Sequence, residues 1–274
     1  MLLNAENEGR LRAFSSFYTC EILKYTASPC GVKKGGMRKE TNSLWPKVPP
    51  PLTERQKEAR EQFMLLWHQQ LPRKYGIIEK FNHGYPARLP VKPHSRTLEI
   101  GAGLGSHVAY EDLTRQEYHL LEYREEFCVA LRKRFPPSQV WHGDIQSRQQ
   151  WPDGYFDRVV AIHVLEHLAN LPAALIEIRR LLAPDGVADI VIPCEGGMAH
   201  TLARKISAER LFKKNFGMDF GPIHKNEHLN NYPEIRRELA HYFAVERSAF
   251  FPLKVPLYTI NLCAGIRLVR IKEN

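Results

Sequence analysis

The run Glu99-Ile100-Gly101-Ala102-Gly103-Leu104-Gly105 follows directly on the apolar stretch Thr97-Leu98-Glu99-Ile100, and its reading decides the fold. An acid followed by glycine at alternate positions suits a strand-to-helix turn in which a ligand lies against main-chain N–H groups. Glycine permits positive φ and close backbone approach, and the N–H groups at a helix start attract polar ligands. The dinucleotide fingerprint Gly-x-Gly-x-x-Gly, counted from Gly101 and Gly103, requires glycine at 106, where Ser106 stands. The loop therefore points to a nucleotide-like ligand and away from NAD. A tight turn without any ligand is the plainer alternative.

Further elements fall at regular intervals. A short strand, Glu117-Tyr118-His119-Leu120-Leu121-Glu122, ends in an acid 17 residues beyond Gly105. That is close to where the second strand of a Rossmann-like unit sets a carboxylate against ribose hydroxyls; a solvated surface Glu is the alternative. Next come Gln139-Val140-Trp141-His142 with Gly143-Asp144-Ile145, and then Trp151-Pro152-Asp153-Gly154-Tyr155-Phe156-Asp157 leading into Arg158 to Ile162 and His163-Val164-Leu165-Glu166-His167-Leu168. Leu181-Leu182-Ala183-Pro184-Asp185-Gly186 makes a turn before a fifth strand.

Together these motifs, spread over residues 97 to 193, resemble those of class I S-adenosylmethionine (SAM)-dependent methyltransferases, within them the methyltransferase type 11 group. Asp185 departs from that group's usual glycine, but Asp-Gly makes a competent turn. The resemblance implies that Glu99 with Gly101, Ala102, Gly103 and Gly105 holds the methionyl end of SAM. It further places Glu122 and Tyr123 at the ribose, Gly143, Asp144 and Ile145 at the adenine, and His163, Val164 and His167 among the cofactor contacts.

The implied fold is α/β: a Rossmann-like sheet of seven strands, mostly parallel with the last strand antiparallel, and helices on both faces. Residues 97 to 193 read as five strand-helix units, with strands six and seven at Phe243 to Arg247 and Tyr258 to Ile271. Residues 1–50, ending at Pro49-Pro50-Pro51, lack periodicity and are expected to be flexible; 51–95 read as a helical cap and 96–274 as the methyltransferase domain. In the cap, Thr53 with Gln56 forms a capping box, Phe63, Leu66 and Trp67 fall at helical spacing, and Pro72 is expected to end the helix. Phe81, Asn82, His83 and Tyr85 are candidates for the wall of the cofactor pocket, or for ordinary packing. A lid is expected at about 194–230, with a basic amphipathic helix from Leu202 to Lys214 and a loop marked by Gly217, Gly221 and Pro222.

Of 274 residues, 43% are hydrophobic, enough for one α/β core with additions. No apolar run reaches about 18 residues and no charged-then-apolar leader follows Met1, so a soluble, cytoplasmic chain without a membrane span is expected. The five cysteines (Cys20, Cys30, Cys128, Cys194, Cys263) form no Cys-x-x-Cys pair, which fits reduced thiols, and no metal is expected. The net charge of +9 is uneven: residues 91–195 carry −4, against +7 for 1–90 and +6 for 196–274. Such an excess suits an anionic substrate, a membrane face or nucleic acid, and equally a solvated basic surface.

Transfer of a methyl group from a sulfonium leaves the protein chiefly with alignment, and with removal of a proton when the acceptor is a hydroxyl. Candidate bases are His228 and His224, with His200 behind them. The segment Gly221 to Asn230 resembles an HxxxF turn of type 11-like enzymes, with Tyr232 in place of the usual aromatic. The [DN]PP[YFW] loop of amino-methylating nucleic-acid enzymes is missing after strand four, where Ile162-His163-Val164-Leu165 stands. Pro193-Cys194 follows strand five, whereas pyrimidine C5 methyltransferases carry their pair after strand four, so Cys194 reads as a small buried thiol. The expected partner is a small-molecule or glycan-type acceptor, with nucleic acid disfavoured. An RNA or protein methyltransferase and a non-catalytic SAM-binding protein remain the alternatives.

Overall fold

The computed structural model describes residues 44–74, 76–136 and 139–271, so expectations for residues 1–43 lie outside the described residues. The Thr53 N–H donates to Gln56 Oε1 (2.9 Å) and its hydroxyl accepts from the Gln56 N–H (3.3 Å), the expected capping box, which starts helix α1 (Glu54–Lys74). Pro72 does not end α1, which runs two residues further before α2 (Gly76–Ala87) begins. Proline removes only the bond its own nitrogen would donate, and the residues after it can keep theirs.

The sheet consists of β1 (Ser95–Ile100), β2 (Gln116–Glu122), β3 (Val140–His142), β4 (Phe156–Ile162), β5 (Leu182–Pro193), β6 (Phe243–Phe251) and β7 (Cys263–Arg270). Its order is β3-β2-β1-β4-β5-β7-β6, with β1 parallel to β2 and β4, and β7 antiparallel to β5 and β6. This is the sheet implied by the sequence. Helices α3 (Glu125–Arg132), α4 (Leu171–Leu181) and α8 (Tyr232–Tyr242) flank it. Leu98, Ile100, Val159 and Ile190 alternate out of the strands on to Leu175, Ile178, Ile235 and Leu239 of α4 and α8. Burial on both faces is why the inner strands read as continuous apolar runs.

Two of the expected helices are reduced. After Gly105 there is a single 3₁₀ turn, His107–Tyr110, because Glu111 leaves helical backbone and its carboxylate is drawn in to Arg158 (2.9 Å) and His107 (2.9 Å). Between β3 and β4 the chain crosses without a helix.

Helix α2 lies on the sheet over a buried ionic cluster. Asp189 on β5 bonds Arg158 of β4 (2.8 Å) and Arg267 of β7 (2.7 and 2.8 Å), and all three are at most 4% exposed. The guanidiniums also donate to Pro86 O (2.8 Å) and Pro90 O (2.9 Å), which ties α2 and the segment after it to the strands. A buried charge is tolerated only when its donors and acceptors are matched in this way. Phe81 and Tyr85 take the packing role: Phe81 meets Phe251 and Tyr85 lies on Gly265, where a Cβ would collide with its ring.

The segment expected to form a lid, about 194–230, turns helical at Met198 rather than Leu202 and stays helical for longer. It comprises α5 (Met198–Arg204), a π-helical turn (Lys205–Glu209), α6 (Arg210–Phe216), which Gly217 ends in the left-handed conformation (φ 65°), and α7 (Gly221–Glu227). The Gly221-Pro222 pair, expected to mark a loop, starts α7 instead, because proline is favourable in the first helical turn. Phe63 of α1 packs edge-on to Phe212 (5.2 Å) and Phe220 (5.3 Å), so α1 shares a small apolar core with α6 and α7. Residues 44–50, the end of the segment expected to be flexible, are tied to the body: Trp45 packs on the main core and Lys47 Nζ reaches Leu229 O (2.8 Å) and Glu234 (2.9 Å). Among the described residues no helix is long and apolar enough to cross a membrane.

Candidate functional site

At the carboxyl end of β1 the chain enters the glycine loop, and Gly101, Gly103 and Gly105 all have positive φ (67°, 55° and 75°). Each excludes a side chain on conformational grounds. A Cβ at Gly101 would also strike Val164 (2.6 Å) and one at Gly105 would strike Phe135 (2.9 Å), whereas Gly103 faces open space. Glu122, at the end of β2, holds this loop from beside it: its carboxylate accepts from Gly103 N–H (2.8 Å) and Arg124 N–H (2.8 Å). The carboxylate keeps further lone pairs for a hydroxyl ligand. The cradle and its acid therefore fit the adenosyl and methionyl parts of SAM.

The other expected cofactor residues lie around the same strand ends. Glu99 is buried and accepts from the Tyr118 hydroxyl (2.9 Å); burial pushes its carboxyl up to about 8 against the opposing effect of that bond. Tyr123 is exposed just past β2. Gly143 N–H donates to Glu122 O (3.0 Å), Asp144 caps its own turn by accepting from Gln146 N–H (2.9 Å), and Ile145 is buried in the main core. Ala102 is buried with the packing around α3.

The turn after β4 joins this cradle to a cluster of titratable groups. Val164 abuts Gly101, and His163 has a left-handed backbone (φ 54°), a strained state for a non-glycine residue that is common at functional sites. His163 Nδ1 contacts the buried Glu166 (3.1 Å), and His167 Nδ1 donates to Glu227 O (2.7 Å). The His167 ring meets that of His228 at 4.9 Å, and the rings of His228 and His224 are 4.7 Å apart. His224 and His228, four apart on and just beyond α7, both bond one carboxylate: Glu195, beyond the end of β5, receives His224 Nε2 (2.7 Å) and His228 Nδ1 (2.5 Å).

This carboxylate controls the electrostatics. Burial alone would raise Glu195, but the bonds from His224 and His228 hold it well below the usual carboxylate range. Burial would lower His228, yet Glu195 outweighs it and the imidazole is raised. His200 is pushed down to about 4, chiefly by burial, with His228 and His224 adding to the effect against Glu195. It is therefore a much weaker base than His228. Glu195, His224 and His228 place three potential metal-ligand atoms within 4.8 Å of one another, the one such set among the described residues. Both Glu195 oxygens accept from the imidazoles, one each. Glu195 was not among the residues expected from sequence. Cys194 beside it is fully buried, as expected of a small packed thiol.

An open, mostly parallel sheet with a glycine cradle at its carboxyl edge and an acid on the next strand defines a Rossmann-like site for a nucleotide-type cofactor. Comparison with known proteins narrows the class. Residues 98–190, about a third of the chain, match the family described as Methyltransferase domain. A stretch of 124 residues, 40% of this chain, is 32% identical to the squalestatin hexaketide synthase of Phoma sp. (strain ATCC 20986 / MF5453) and spans 5% of that protein's length. A squalestatin hexaketide synthase of Cochliobolus lunatus matches to the same extent. Among solved structures, the CurJ carbon methyltransferase superposes with a TM-score of 0.53 at 18% identity, over 76% of this chain and 58% of that one. A SAM-dependent methyltransferase from Aquifex aeolicus gives 0.50 at 14% identity, over 77% and 98%. These two structures establish likeness of fold.

Proposed function

We propose that the chain transfers the methyl group of SAM to a hydroxyl of a small-molecule or glycan-type acceptor, with His228 taking the acceptor proton and Glu195 orienting the imidazole. The observation that carries this reading is the bond between Glu195 and His228, joined through His167 and the turn after β4 to the glycine cradle. The curated relatives are synthases of a hexaketide, a small molecule, which supports an acceptor of that size.

SAM, when bound, supplies an electrophilic methyl on a good leaving group. Gly101, Ala102, Gly103, Gly105 and Glu122 would hold it, with Asp144, Ile145, Tyr123, His163 and Val164 beside them. His228 Nδ1 is committed to Glu195, so Nε2 is the nitrogen left to receive a proton. Glu195 stabilises the imidazolium that results. His224 shares the same carboxylate and fixes its orientation, and α1 with the lid excludes water from the reacting atoms. The test is to incubate the protein with methyl-labelled SAM and separate fractions of a cell extract. Label entering low-mass, oxygen-methylated products supports the reading, and label confined to RNA or protein overturns it.

A further inference from the structure

The carboxyl end of the sheet carries an apolar band that serves neither the core nor the site just described. On the lid, Met198, Leu202 and Ile206 recur every four residues and are 72%, 61% and 55% exposed. In the connection from β6 to β7, Leu253, Val255 and Leu257 are 47%, 47% and 54% exposed. The two segments are neighbours: α5 packs on the turn Tyr258–Ile260, and Gly197 sits so close to Tyr258 O that a Cβ would clash with it (2.6 Å). Side chains four apart on a helix share one face, and large solvent-facing apolar groups clustered in this way mark an interaction surface.

Charge selects the occupant. Residues 198–208 and 251–262 contain no aspartate or glutamate, while Lys205 and Lys254 lie within them; Arg204 is paired with Glu209 (3.3 Å), just past the first stretch. Lys205 and Lys254 are exposed, and so are Lys213 and Lys214 on α6. Apolar side chains interleaved with lysine on a helix and a proline-stiffened loop, with the adjoining Glu209 paired to Arg204, are the pattern of a surface that sinks into an anionic headgroup layer. We propose that this face docks on an anionic lipid bilayer, with Leu202, Ile206 and Leu257 entering the acyl boundary and Lys205 and Lys254 meeting lipid phosphates. The surface lies at the sheet edge that bears the glycine cradle, so docking brings the site to the lipid boundary. This inference is independent of the acceptor atom.

The experiment is co-sedimentation of the full chain with phosphatidylcholine vesicles prepared with and without phosphatidylglycerol, at low and high salt. Binding to the anionic vesicles that weakens with salt is expected, and Leu202→Glu with Leu257→Glu should reduce it at least about tenfold, the effect of losing two buried apolar contacts and adding two negative charges. Melting temperature and affinity for S-adenosylhomocysteine should stay at native values in that variant, because both residues are exposed. Lys205→Gln with Lys254→Gln should weaken binding and flatten its salt dependence. Failure of the native chain to bind anionic vesicles, equal binding to neutral ones, or unchanged binding by the glutamate variant overturns the proposal. So does a dimer in sedimentation velocity that the glutamate variant disperses, since a second copy would then be what covers the band.

Discussion

Replacing Glu195 by glutamine should lower the pKa of His228, and the size of the shift follows from the contact. Unit charges roughly 4 Å apart attract by about 4 kcal/mol at an effective dielectric near 20. The two side chains are 25% and 15% exposed, so solvent screening takes away about half of this. What remains is about 2 kcal/mol favouring the charged imidazole. In the native protein Glu195 overcomes burial and raises the imidazole; without its charge, burial prevails. The sign for stability follows from the same shift. The raised His228 contributes stability that is fully present below the ordinary histidine value of about 6.5 and is lost as pH rises through the higher native value. The depressed Glu195 contributes stability present above the ordinary carboxylate value of about 4.3 and lost as pH falls through its native value. NMR titration of carbon-labelled histidine, with His228 assigned by its loss in His228→Gln, reads the shift directly and needs no acceptor. A His228 that titrates at the same pH or higher in Glu195→Gln refutes the reasoning.

Once an acceptor is known, His228→Ala should lower turnover by ~10²–10⁴-fold while cofactor affinity changes little, measured as kcat against calorimetric Kd. Glu122→Ala should weaken S-adenosylhomocysteine binding by about 1–3 kcal/mol in calorimetry, because it removes an acceptor and the brace on Gly103; unchanged affinity would leave Glu122 no role in holding the ligand. Asp189→Ala leaves the buried Arg267 without its carboxylate and Arg158 with Glu111 alone, and should cost about 3–5 kcal/mol in urea unfolding. A chain starting at residue 49 should melt about 4–8 °C below one starting at residue 44, for a loss of about 2 kcal/mol as Trp45 packing and the Lys47 bonds disappear.

The parts of this molecule that are legible in its sequence are those set by local chemistry. The glycine loop announces itself because three positive-φ positions admit few other residues, and Asn231-x-x-Glu234 forms the capping box of α8 through bonds between near neighbours. Glu195 was illegible because its partner His228 is 33 positions away. One signal was available: His224 and His228 stand four apart, and reading Gly221-Pro222 as a helix start would have set them on one face. Arg158 and Asp189 gave no sign of burial, since charges on strands are ordinarily solvated and only the tertiary fold brings β4, β5 and β7 together around them.

The position of β7 governs the order in which the chain can assemble. The last strand is wedged between β5 and β6, carries Gly265 beneath Tyr85, and supplies Arg267 to Asp189 and Pro90. Until it is in place, β6 has no neighbour, β5 has an open edge, and α2 lacks half of its seat. Synthesis therefore delivers the keystone last. A nascent chain halted just short of Cys263 holds a cofactor cradle already encoded but a sheet that cannot close, leaving an unpaired edge on β5 for a chaperone to shield.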